Sequence, residues 1–198
     1  MAAPVSGTVR LFAFRGIDVY LHWSWAVVGL LEIQWRSSAY DSLVWNITEY
    51  IALFALVLLH EFGHALACRS VGGEAKRIML WPLGGVAYVR PPPRPGAQLW
   101  SIAAGPLVNL VLVPLTLIPL ILLRGTIPAD IETLLVTLTV INVGLFLFNI
   151  LPIYPLDGGQ IVRSLLWFFI GQERSLTIAA TLGPVSYTHL RAHETVRN

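Results

Sequence analysis

Residues 60–64 read His-Glu-Phe-Gly-His, two imidazoles four positions apart with a carboxylate beside the first. On a helix, positions four apart share a face, so both rings can reach one ion while Glu61 sits a fraction of a turn away. Zinc suits nitrogen and oxygen donors at about 2 Å, and a catalytic zinc site keeps one position open for water. The preceding residues, YIALFALVLL, are apolar. Ionisable groups inside such a helix are expensive and functional by default. The competing reading is a histidine pair that only packs against neighbouring helices.

HExxH supplies two protein ligands and a base, so a third ligand is required. The chain has eleven acids and five histidines, and most acids fall in loops or at helix ends. Asp157 stands out in NILPIYPLDGG, residues 149–159. Pro152 and Pro155 interrupt the helix there, and Gly158 and Gly159 free the backbone beside the carboxylate. A broken helix at membrane depth is tolerated where it lines a polar cavity. The alternative for Asp157 is a turn or helix-capping aspartate.

The elements that position these groups follow from composition. Of 198 residues, 56% are hydrophobic and 12% charged, with a mean hydropathy of +0.69. A soluble domain carries roughly 25% charged residues, so a membrane protein is expected. A soluble helical core would need polar helix faces, and these segments have almost none. The net charge is +2, with scattered basic residues, and this argues against nucleic-acid binding. A single cysteine, Cys68, excludes an intrachain disulfide. MAAPVSGTVR at the start lacks the apolar core of a cleavable signal, so the first hydrophobic segment should be retained.

Four stretches approach the roughly 20 apolar residues that a crossing takes: Val19 to Trp35, Leu43 to Cys68, Leu99 to Leu123 and Ile131 to Ile153. The first is short and flanked by tryptophans, and a fifth run, Ile161 to Ile170, is too short alone. One set of loops carries Arg10, Arg15, Arg69, Lys76, Arg77, Arg90, Arg94, Arg163 and Arg174; the other carries Arg36 and Arg124. Nine against two places the N-terminus in the cytoplasm. It also brings the ends of spans two and four, with HExxH and Asp157, to one side. Between spans two and three, RIMLWPLGGVAYV (77–89) is apolar, rich in turn residues and too short to span, and the turn signals around Pro82–Gly85 predict two short strands.

With these motifs in place, the chain resembles the site-2 protease family of intramembrane zinc metalloproteases in its bacterial and archaeal branch. HEFGH at 60–64 and NILPIYPLDGG at 149–159 carry the resemblance. AAGPLVN at 103–109, IDVYLHWSW at 17–25 and PLGGVA at 82–87 support it more weakly. It covers about residues 9 to 183.

The fold it implies is an all-α polytopic membrane protein. About four to five transmembrane helices are expected, with a short membrane-associated β-hairpin between helices two and three. The metalloprotease core would span 1–185. By resemblance the ligands of one Zn2+ per chain are His60, His64 and Asp157, the catalytic acid–base is Glu61, and Asn149 helps to bind substrate or polarise its carbonyl. The hairpin, with Gly84 and Gly85, would take the unwound substrate as an added strand.

The implied partners are a transmembrane protein substrate, the lipid bilayer and a regulatory membrane protein, in a prokaryotic cell membrane. A protease-like protein that binds membrane partners without cutting them is the alternative. A metal transporter is disfavoured because the acids cluster at one depth instead of lining a path through several helices.

Asn109 reads as an interhelical hydrogen-bonder, Ala103, Ala104 and Gly105 as small residues that let helices approach, and His22 as structural. From Ser186 the chain turns polar, SYTHLRAHETVRN, and 186–198 is expected to be a non-native or disordered tail, with His189 and His193 a decoy pair. Family members usually continue past a segment like 176–184 with more helix or a regulatory domain, so a truncated chain is one reading.

Overall fold

A computed structural model of the chain describes residues 6–82 and 84–181. The elements run β1 (Thr8–Phe14), β2 (Ile17–His22), α1 (Ser24–Trp35), α2 (Leu43–Ser70), β3 (Glu74–Trp81), β4 (Gly84–Arg90), α3 (Pro95–Leu123), α4 (Ala129–Ile150), α5 (Asp157–Ile170) and α6 (Gln172–Thr181). The expected tail, 186–198, lies outside the described residues.

Among the described residues three helices, α2, α3 and α4, are long and apolar enough to cross a membrane. Their surface is inverted relative to a water-soluble protein. Leu115, Ile118, Ile121 and Leu122 of α3 are more than half exposed, whereas Ser101, Asn109, Asn142 and Ser164 are fully buried. Large apolar side chains facing outward around buried amides are what a lipid solvent selects.

The first of the four expected spans is not one continuous helix. Ile17–His22 is a strand and α1 has only 12 residues, about 18 Å of helix at 1.5 Å per residue against a hydrocarbon core of about 30 Å. The alternating, β-branched sequence IDVYLH explains the outcome: alternate side chains serve two faces of a strand, and Ile17 and Val19 are fully buried. The expectation of an all-α fold is amended for the same reason.

The chain carries a four-stranded sheet in the order β1-β2-β3-β4. β1 and β2 form a hairpin whose two turn residues, Arg15 and Gly16, have φ of 48° and 73°, as a tight two-residue turn requires. β2 runs parallel to β3, and β3 antiparallel to β4. The buried face (Ile17, Val19, Ile78, Leu80) packs on Ala65 of α2 and Trp25. The sheet therefore sits on the C-terminal half of α2, where HExxH lies, and β4 is an edge strand among the described residues.

Polar contacts fix both ends of α2. Arg69, in its last turn, donates to the Gly16 and Ala75 carbonyls at 2.9 Å, clamping hairpin and β3. At the other end, Arg36 forms two 2.8 Å bonds to the buried Glu49 carboxylate and a third to Thr137 of α4. Tyr40 also donates to Glu49. These bonds tie α4 to α2, so the chain leaving α4 returns to the depth of residues 60–64.

Candidate metal centre

His60 and His64 occupy successive turns of one face of α2, and Asp157 opens α5, just past the break that ends α4. Its carboxylate thus sits at the positive end of a helix dipole. Asp157 Oδ2 lies 3.1 Å from His60 Nε2 and 3.2 Å from His64 Nε2. The two Nε2 atoms are 3.0 Å apart, and all three side chains are largely buried.

The outer ring nitrogens decide what these inner atoms are. His64 Nδ1 faces the Ser101 carbonyl at 3.0 Å, and a carbonyl can only accept, so Nδ1 carries the proton. His60 Nδ1 faces Asn109 Oδ1 at 2.5 Å, likewise an acceptor. In the neutral rings each Nε2 is then a lone pair, and Asp157 Oδ2 is buried with no hydrogen-bond partner. Three lone-pair donors converge with no proton among them, an arrangement that a cation resolves.

The donor set of two imidazoles and one carboxylate suits zinc. The 3.0–3.2 Å separations approach the roughly 3.3 Å edge of a tetrahedron with bonds of about 2 Å. Gly105 of α3 forms the floor: a Cβ there would lie 2.8 Å from His60 Nε2 and closer still to the His64 ring.

Glu61 is buried beside this cluster but belongs to no ligand set. Strand β4 covers it. A Cβ on Gly85 would come within 2.6 Å of its carboxyl oxygen. A cavity of about 570 Å³ opens here, lined by His60, Glu61, His64 and Asp157 together with Gly84, Gly85 and Asn149. Asn149 donates one N–H to the Leu145 carbonyl of its own helix at 3.0 Å, leaving the amide's other donor for the cavity.

Every site residue named from the sequence therefore meets at one place. Ser101, whose carbonyl orients His64, and Asn142, packed behind Asn109, were not singled out. For Asn142 a signal existed, since a lone amide in an apolar span asks for a partner; a backbone carbonyl leaves none. His189 and His193 lie outside the described residues.

The sequence model of peptidase family M50 matches residues 48–126 and 121–190, most of the chain and all of its site. The chain belongs to peptidase family M50. This M50 chain is 36% identical over 180 residues to a zinc metalloprotease of Methanocaldococcus jannaschii, covering 89% of its own length and 50% of the relative's. It is 28% identical over 134 residues to stage IV sporulation protein FB of Bacillus subtilis, covering 65% of itself and 43% of that protein.

Among solved structures it superposes on the site-2 protease from Methanocaldococcus jannaschii with a TM-score of 0.61 and 31% identity. The superposition covers 88% of this chain and 78% of the other. The fold is that of the site-2 proteases, and the M50 chain spans about half the length of the curated relatives it matches.

Proposed function

We propose that this protein is a zinc-dependent intramembrane endopeptidase that hydrolyses peptide bonds of transmembrane proteins near the cytoplasmic side. The observation that carries the reading is the convergence of His60 Nε2, His64 Nε2 and Asp157 Oδ2 within about 3 Å of one another beside a buried, non-ligating carboxylate.

His60, His64 and Asp157 would hold one zinc. Bound there, zinc polarises the scissile carbonyl and lowers the pKa of its water to about 7. Glu61 takes the proton from the attacking water and passes it to the leaving amine, work worth roughly 10²–10⁴-fold in rate. The free N–H of Asn149 donates to the carbonyl oxygen as charge develops on it. A transmembrane helix hides its peptide bonds in its own ladder, so substrate must unwind before attack. β4, an edge strand that borders the cavity through Gly84 and Gly85, offers replacement main-chain bonds to the extended segment.

Nine basic residues in one set of loops against two in the other support a multi-pass chain with a cytoplasmic N-terminus in a prokaryotic cell membrane. This suits regulated intramembrane proteolysis, with a regulatory membrane protein as further partner. The test is cleavage of a model single-span substrate in proteoliposomes. Glu61→Gln should stop cleavage and keep the zinc. Undiminished cleavage by Glu61→Gln would refute the mechanism, and zinc-loaded protein that holds substrate without cutting it would favour a binding role.

A further inference from the structure

Two buried amides outside the ligand set face His60, one behind the other. We infer that Asn109 on α3 and Asn142 on α4 are positioning residues that fix the metal-facing tautomer of His60, a role that rests on the metalloprotease reading above.

The direction of each bond follows from one fixed point. Asn142 Nδ2 lies 3.0 Å from the main-chain oxygen of Asn109. A carbonyl only accepts, so the Asn142 group beside it must be its NH₂. Asn142 Oδ1 is then the atom facing the Asn109 side chain at 2.7 Å, and it needs a donor there, which is Asn109 Nδ2. Asn109 therefore turns Oδ1 to His60 Nδ1 at 2.5 Å. An amide oxygen accepts only, so the His60 proton stays on Nδ1 and Nε2 keeps its lone pair for the metal. Both asparagines are 0% exposed, so no solvent competes for any link.

The competing state explains what the relay prevents. Were the His60 proton on Nε2, it would donate to Asp157 Oδ2, 3.1 Å away. The two ligands would satisfy each other and the site would close without metal. His64 needs no relay, because the Ser101 carbonyl holds its Nδ1 proton directly. One imidazole is thus oriented by main chain and the other by two side chains from two further spans.

The test uses the full chain in detergent, with zinc affinity from chelator competition and the visible spectrum of the Co2+ form as readouts. Removing an outer partner of a metal-bound histidine typically weakens binding about 10–100-fold. Asn109→Leu should fall in that range and alter the Co2+ spectrum. Asn109→Asp, as the neutral acid in this buried place, keeps an acceptor for Nδ1 and a hydroxyl donor for Asn142 Oδ1, and should stay within a few-fold of the parent. Asn142→Leu, which frees the Asn109 amide to flip, should weaken binding about tenfold.

Parent-like affinity and spectrum in Asn109→Leu would overturn the inference. So would equal weakening in Asn109→Leu and Asn109→Asp, which marks a loss of helix packing. Should Asn109→Leu fail to fold, the other two variants decide: Asn109→Asp near the parent with Asn142→Leu weakened upholds the relay, and equal affinities overturn it. Zinc-binding parent with indifferent variants refutes the relay alone, whereas a parent that takes up no zinc refutes the metalloprotease reading and the relay with it.

Discussion

The main chain of Gly85 presses on the carboxyl group of Glu61 so closely that a Cβ would lie 2.6 Å from both its Cδ and Oε1. Strand β4 and the HExxH helix are fitted to each other at the residue read as the base. Gly85→Ala must therefore push Glu61 off its position, or lift β4. Either movement leaves the ligands in place. Cleavage should drop at least about tenfold, since misplacement by about 1 Å can cost 10²-fold. Zinc content, measured by mass spectrometry on the same sample, should not change.

Gly105→Ala should produce the opposite pattern. Its Cβ would enter the space of the His60 and His64 rings from α3, so the ligands move before the base does. Zinc affinity should fall with activity, and excess zinc should restore part of the cleavage. Chelator competition at several zinc concentrations checks this.

Far from the metal centre, Arg36→Met should destabilise the protein by about 1–3 kcal/mol, less than the loss when a fully buried ion pair is broken, because the Arg36 side chain is 35% exposed. Glu49 is 1% exposed and would keep the Tyr40 hydroxyl but lose its counter-charge. The double variant Arg36→Met, Glu49→Leu should recover much of that, because no charge is then stranded. Thermal unfolding in detergent separates the two, and zinc content should follow the folded fraction.

Much of this was legible in the sequence where one cause dominates. HExxH fixes its own geometry through helix periodicity, and the placement of Asp157 follows once loop charge brings the ends of two spans to one side. The first span was read as helix throughout because hydropathy does not distinguish a buried strand from half of a membrane helix. IDVYLH is apolar enough for both, and only pairing with β3 decides.

Gly158 and Gly159 were read as backbone hinges, yet neither is among the positive-φ glycines. Both are buried in the first turn of α5, where a Cβ would meet main-chain atoms of residues 150–154. Their smallness is used for close approach, which sequence spacing does not show. Asn142 was passed over because its partner lies 33 positions away on another helix.

The central claim is that His60, His64 and Asp157 together hold one zinc, and zinc content with X-ray absorption at the zinc edge tests it most directly. The parent should carry about one zinc per chain with nitrogen and oxygen neighbours near 2 Å and no sulfur, which also excludes Cys68. Asp157→Ala should lose most of the metal while Glu61→Gln keeps it. Stoichiometric zinc with an unchanged absorption spectrum in Asp157→Ala, or in His60→Ala combined with His64→Ala, would contradict the three-ligand site.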